Sequence, residues 1–207
     1  MYIPRHFQPR SQQETLDVLR NSGASDLISY SDNEFQLSTL PFVVDEEGDV
    51  LRLLGHLARA NPHWRCLDGS DAFVLVHGPS AYVSPSVYPS KVEHQKVVPT
   101  WNYVKVALRG TVQIHEEPSW IETVVTRLTE KFEVISKNPW NVSDAPRDFI
   151  DSQLRAVVGV EFLVRETDAK FKLSQNRDLR DAKAVRDDMA RRAEIEMYEA
   201  MGYLKDL

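Results

Sequence analysis

Three stretches of this chain bring together residue types that can hold a charged or aromatic ligand. In GHLARANPHW (55–64), Asn61 is a favoured helix N-cap and Pro62 suits the first helical position. Free backbone N–H groups and the helix dipole at such a start favour an anion, and Arg59 adds a forked cation two residues earlier. The same residues also spell an ordinary Asn-Pro cap, and His56 reads equally as a packed strand histidine. In AKFKLSQNR (169–177), alternation sets Lys170, Lys172 and Ser174 on one strand face, with Phe171 and Leu173 on the other. Gln175, Asn176 and Arg177 then supply amide and guanidinium donors, or simply end a solvated strand. The third stretch is YVSPSVYPSKVEHQKVVPTWNY (82–103). Its prolines, Pro85, Pro89 and Pro99, oppose a helix, its aromatics oppose disorder, and a loop this long between strands usually carries function.

Other chemistry is excluded. Ser84, Ser86 and Ser90 precede His94, but nothing orients the histidine as a triad requires. Glu46-Glu47 and Glu116-Glu117 sit at a turn and a helix start, where solvation or the helix dipole accounts for them. Cys66 is the sole cysteine, so there is no internal disulfide and no zinc spacing. With 31 acidic against 25 basic residues the net charge is −6, which disfavours non-specific nucleic-acid binding. MYIPRHFQPR lacks the apolar run of a signal peptide and no stretch approaches a membrane span, so the expected location is cytoplasmic.

The elements that must position these stretches follow from patterning. SQQE at 11–14 is a capping box opening a helix over 12–20. Extended runs follow at 26–30, 36–44, 50–55 and 72–77, with a short helix from Asn61-Pro62 to about Gly69. A long strand covers 101–115, interrupted at Gly110. Pro118 opens a helix with Trp120, Val124, Leu128 and Phe132 at helical spacing, and another runs from about 143–146 to 158–159. Runs at 160–165 and 170–173 read as a closing hairpin, and a charged helix with a sparse apolar stripe occupies 178 to about 204. The expected fold is α+β: a mostly antiparallel barrel of about six strands with inserted helices, a domain at 1–177 and a C-terminal helix at 178–207. The helix's apolar positions, Val185, Met189, Ile195, Tyr198 and Met201, could serve a partner subunit.

MYIPRHF, LPF at 40–42, GHLARANPHW, GPSAYVSPSVYPSK, VVPTWNY, VSDAP at 142–146 and KFKLSQNR, in this order, resemble the PaiB family of FMN-binding negative transcriptional regulators. The resemblance spans residues 1–177. It implies the FMN-binding split-barrel fold and a homodimer with cofactor pockets between subunits. It places His56, Arg59 and Asn61 at the flavin phosphate, and Ser38 and Thr39 along the flavin ring. It adds Lys91, Trp101, Asn102 and Tyr103 from the loop and following strand, with Lys172, Ser174, Gln175 and Arg177 closing the pocket. Three departures stand near that pocket: Val87 where the family usually has tryptophan, Thr39 where it has histidine, and Ala24-Ser25-Asp26-Leu27 in place of a Gly-Thr-Leu run.

The resemblance supports a flavin-binding transcriptional regulator, although no helix-turn-helix or basic recognition helix supports direct DNA binding. The alternative is an enzyme on the same scaffold: a flavin oxidoreductase, or a haem enzyme resembling piperazate synthases, with His56 as the best-placed axial ligand and His63 or His94 behind it. A dimer that has lost its cofactor is the third reading.

Overall fold

The first helix, α1 (Gln12–Asn21), starts where Ser11 Oγ accepts from the Glu14 N–H at 3.3 Å. The Glu14 carboxylate does not close the capping box on Ser11. It takes the Arg10 backbone N–H and Nε instead, each at 2.6 Å. In the computed structural model, which describes residues 1–205, β1 (Ala24–Ser31) and β2 (Glu34–Pro41) then form a hairpin. Its turn residues Asp32 and Asn33 take left-handed φ values of 51° and 65°, which short polar side chains tolerate. A second hairpin pairs β3 (Val43–Glu47) with β4 (Val50–Ala58) around Gly48. The single run expected over 36–44 is therefore two strands. Pro41 has no N–H to continue a ladder, and the chain changes partner there from β1 to β4.

Strands β5 (Asp71–Val83), β6 (Thr100–His115) and β7 (Val157–Lys172) are longer. The sheet has seven strands in the order β2-β1-β5-β6-β7-β4-β3, with antiparallel pairing, and the fold is α+β. Two expectations are corrected here. Residues 160–165 and 170–172 belong to one strand, not a hairpin, and the backbone between them stays extended with no positive φ; Leu173 lies just past the strand end. Gly110 does not interrupt β6. It lets the backbone of β7 approach closely, since a Cβ there would sit 2.0 Å from the Leu163 carbonyl oxygen.

The chain forms two compact units. The first comprises Met1–Leu16, His77–Val106 and Asp168–Leu207; the second comprises Asp17–Val76 and Ala107–Thr167. In the second unit, α3 (Pro118–Glu133) lays Val124 and Leu128 against Val43 of β3 and Leu54 of β4, with Trp120 beside them. Its other apolar edge, Ile121, meets Ile150 and Leu154 of α4 (Arg147–Arg155), and Phe132 stays largely exposed. Helix α4 stops before 158–159 because β7 begins at Val157.

The first unit holds the short helix α2 (Ser90–His94) and the C-terminal segment. That segment is two helices, α5 (Leu179–Arg191) and α6 (Ile195–Ala200), and not one. Ala193 takes φ of 57°, and the Glu194 N–H returns to the Met189 carbonyl at 2.9 Å, a left-handed helix stop. Val185, Met189, Met197 and Met201 are buried within the chain, so most of the apolar stripe is used internally. Residues 206 and 207 of the expected helix lie outside the described residues. Among the described residues no helix is long and apolar enough to cross a membrane.

Gly110→Ala is expected to destabilise the protein by about 2–3 kcal/mol, because the Cβ meets backbone that cannot rotate away. A urea-unfolding midpoint unchanged from wild type would contradict this.

Candidate flavin site

The expected site residues fall into two groups. In the second unit, Ser38, Asn61 and His63 form a buried polar network with Ser29. The Asn61 side chain caps the short 3-10 helix Pro62–Cys66 by accepting from the His63 N–H at 3.0 Å. That contact orients its amide, so Nδ2 donates to Ser38 Oγ at 2.9 Å. Ser38 Oγ lies 2.8 Å from His63 Nδ1, and Ser29 Oγ lies 2.9 Å from Nε2. With Ser38 accepting from Asn61, its own proton is available to Nδ1, and Nε2–H donates to Ser29. The imidazole is therefore fully satisfied while neutral, and burial pushes its pKa down. These groups are spent on one another. They brace the β1–β2 hairpin against the helix start.

Arg59 is likewise committed. Its Nε donates to the Arg155 carbonyl at 3.1 Å, Nη2 to the Val157 carbonyl at 3.3 Å, and Nη1 pairs with Glu116. His56 pairs in register with Gly159, and Trp120 fills the space a Cβ at Gly159 would take. The His56 Nδ1 is buried without a hydrogen-bond partner, and burial lowers its pKa. Thr39 is exposed and donates to Asp26 at 2.7 Å, directly across the β1–β2 ladder. Two of the family departures thus partner each other.

The first unit is different. Along β6, Asn102, Val104 and Val106 point inward while Trp101, Tyr103 and Lys105 point outward. Along β7, Ala169 and Phe171 point inward while Lys170 and Lys172 point outward. On β5, Val83 is buried and Tyr82 exposed, with the Tyr82 ring edge-on to Trp101 at 5.9 Å. The outward residues of three neighbouring strands make one surface of aromatic rings and ammonium groups. Lys170 Nζ lies 5.4 Å from the Tyr103 ring centroid, 5.7 Å from Tyr2 and 5.9 Å from Phe7. Lys172 Nζ lies 5.8 Å from Tyr103 and donates to the Trp101 carbonyl at 2.7 Å and to Thr100. Partial burial pulls the Lys172 pKa down; Lys170 and Arg177 push the same way, while Tyr103 opposes them. An anion laid on this surface relieves that crowding of positive charge.

Behind the surface, Asn102 is fully buried. Its Nδ2 donates to Ser174 Oγ at 3.0 Å, and Ser174 Oγ donates back to Oδ1 at 3.2 Å. Ser174 does not share the face of Lys170 and Lys172. The strand has ended at Lys172, and Ser174 turns inward with φ of 70°. Gln175 locks that turn, accepting from the Leu173 N–H and donating to the Phe171 carbonyl. Tyr203 donates to the Leu173 carbonyl at 3.1 Å, and burial pushes its pKa up to about 12. Arg177 stacks over the Tyr88 ring at 4.8 Å, and Lys91 stands exposed on α2. Sequence reasoning left Lys170, Tyr82 and Tyr2 out of the site. The alternation of AKFK, which already set Lys170 beside Lys172, was the signal that could have found the first.

Residues 1–166 match the family described as "Putative FMN-binding domain". The chain belongs to this PaiB-like FMN-binding family. It is 30% identical over 182 residues to the protease synthase and sporulation protein PAI 2 of Bacillus subtilis, covering 87% of this chain and 85% of that protein. Among solved structures, the FAD and heme binding protein from Mycobacterium smegmatis superposes with a TM-score of 0.53 at 17% identity, covering 79% of this chain and 72% of that one. The flavocytochrome Anf3 from Azotobacter vinelandii gives 0.56 at 12% identity, covering 82% and 72%. These two carry the fold. The family carries the flavin: the protein is a flavin-binding split barrel.

The two lowered histidines set an acid limit. In each, the folded pKa lies below the ordinary 6.5, so the unfolded chain binds the proton more readily. Their stabilisation is complete above pH 6.5 and is lost as pH falls toward the folded values. Each contributes a slope of at most about 1.4 kcal/mol per pH unit. Unfolding free energies measured from pH 7.5 to 5 should fall, and His63→Gln should flatten the decline; an equal slope in the variant would contradict the assignment.

Proposed function

We propose that the protein is a homodimer that binds FMN, with the isoalloxazine against the outward face of Trp101, Tyr103 and Tyr82 and its negative charge met by Lys170, Lys172 and Arg177. The observation that carries this reading is the pairing of aromatic rings with two crowded ammonium groups on one surface. A planar, phosphate-bearing ligand matches both halves of it. When bound, the flavin supplies one- or two-electron redox chemistry; the chain holds it and tunes its charge. Lys91 extends the same positive field from α2. Haem is less well served. His63 has both ring nitrogens engaged, His94 Nδ1 accepts from the Lys96 N–H, and His56 Nδ1 is sealed from solvent.

The dimer reading rests on the second unit. Ile28↔Leu37 and Tyr30↔Phe35 pair across the ladder, and Phe35 is 79% exposed, Leu37 61% and Tyr30 56%. Ile28, Tyr30 and Phe35, with Phe73, floor an open cleft of about 280 Å³ edged by Arg109 and Arg165. Such a contiguous apolar surface is what a partner covers. Arg109 pairs with Glu166 and Arg165 with Asp71, so both charge signs lie at its rim, as a self-complementary interface requires.

A regulatory role, as in the family label, is better served through a cofactor state than through direct base reading. The arginines of α5 and its C-cap are turned to the chain itself: Arg180 pairs with Glu93, Arg191 and Arg192 with Asp188, and Arg186 is stacked on Tyr198 at 4.1 Å with Nε and Nη2 buried. Binding to duplex DNA should be no tighter than that of an unrelated acidic protein across a salt series.

The purified protein's absorption spectrum, with mass identification of the released ligand, should show flavin bands and FMN. A Soret band in their place, or failure to take up added FMN, would overturn the reading. Lys172→Ala should weaken FMN binding about tenfold, and Phe35→Lys should convert a sedimenting dimer to monomer.

A further inference from the structure

The 84–99 loop has no sheet ladder to hold it, yet within the first unit the C-terminal segment grips it at three points and holds the strand end that leads into it at a fourth. Asp181 of α5 is 3% exposed and accepts from Ser90 twice, from the N–H at 3.0 Å and from Oγ at 2.6 Å. Ser90 is itself 4% exposed, so this is a buried carboxylate that accepts both a backbone and a side-chain donor from the loop. On either side of it, Arg177 stacks over Tyr88 and Arg180 pairs with Glu93 at 2.6 Å. At the far end of α5, Arg192 donates to the Tyr82 carbonyl at 2.7 Å, where the loop leaves the aromatic surface. A buried carboxylate is a poor choice for packing alone, since desolvation opposes it unless every lone pair is met. Its directional bonds fix one register of the loop, which greasy contacts would not.

We infer that α5 is the positioning element of the loop and that Asp181 is its positioning residue. The helix lies beyond the 1–166 stretch that matches the family model, so the loop is held by a segment outside that stretch. The loop runs from Tyr82 to Trp101, both on the proposed flavin surface. Releasing its middle therefore loosens both edges of that surface. This consequence rests on the flavin reading; the grip on the loop does not.

The test uses the full chain as wild type, Asp181→Ala and Asp181→Asn, with two readouts: native-state trypsin cleavage after Lys91 and Lys96, and FMN affinity by quenching of flavin fluorescence. Asp181→Ala should speed loop cleavage about tenfold and weaken FMN about tenfold, with cleavage after Arg127 and Lys131 in the second unit unchanged. Asp181→Asn keeps one acceptor and should fall between. Unchanged loop cleavage in folded Asp181→Ala, or an equal rise at Arg127 and Lys131, overturns the assignment. Faster loop cleavage with FMN affinity within twofold of wild type overturns its link to the flavin surface. If wild-type protein binds no FMN, the flavin reading fails, and the cleavage comparison alone decides the role of Asp181.

Discussion

Everything at the candidate site depends on the alternation of side chains along β6 and β7. Two adjacent strands present one set of residues to a core and the other set outward. The inward set is apolar except for Asn102, whose amide is satisfied by Ser174. That buried pair joins β6 to the turn that ends β7, and so fixes where Lys172 stands relative to Trp101 and Tyr103. A one-residue slip would turn the lysines inward and leave an unpaired amide in the core. The charge crowding at Lys172 is a consequence of this register.

The two units use polar chemistry for opposite ends. In the second, Ser29, Ser38, Asn61 and His63 close a circuit in which each polar group answers another, and Arg59 is absorbed by carbonyls and Glu116. These are structural uses of residues with functional potential. In the first, Lys170 and Lys172 lie near aromatic rings, and Lys172 also donates to the Trp101 carbonyl and Thr100; these neutral partners leave the positive charge available to a ligand. The distinction between spent and available donors separates the two halves of the expected site.

Much of the fold was legible. The SQQE helix start, the Pro118 helix and the outward lysines of KFK all follow from spacing and cap chemistry, and the family resemblance supplied the barrel. What failed was punctuation. Residues 160–165 and 170–173 look like a closing hairpin in the sequence, but β7 runs unbroken from Val157 to Lys172. The break at Ala193 was invisible because alanine carries no turn signature; the stop is made by Glu194 bonding back to Met189. Asn61 was correctly read as a cap, but its second bond, to Ser38, spans 23 positions in sequence and has no local signal. Ser174 was misplaced because alternation was carried past the end of the strand.

The central claim is that flavin lies on the outward face of the first unit. Amide hydrogen exchange with and without saturating FMN tests it most directly. Protection concentrated at 100–104 and 168–177 is the predicted footprint. Protection confined to 36–40 and 56–63, with those strands unchanged, would contradict it and return the flavin to the Ser38–Asn61 side.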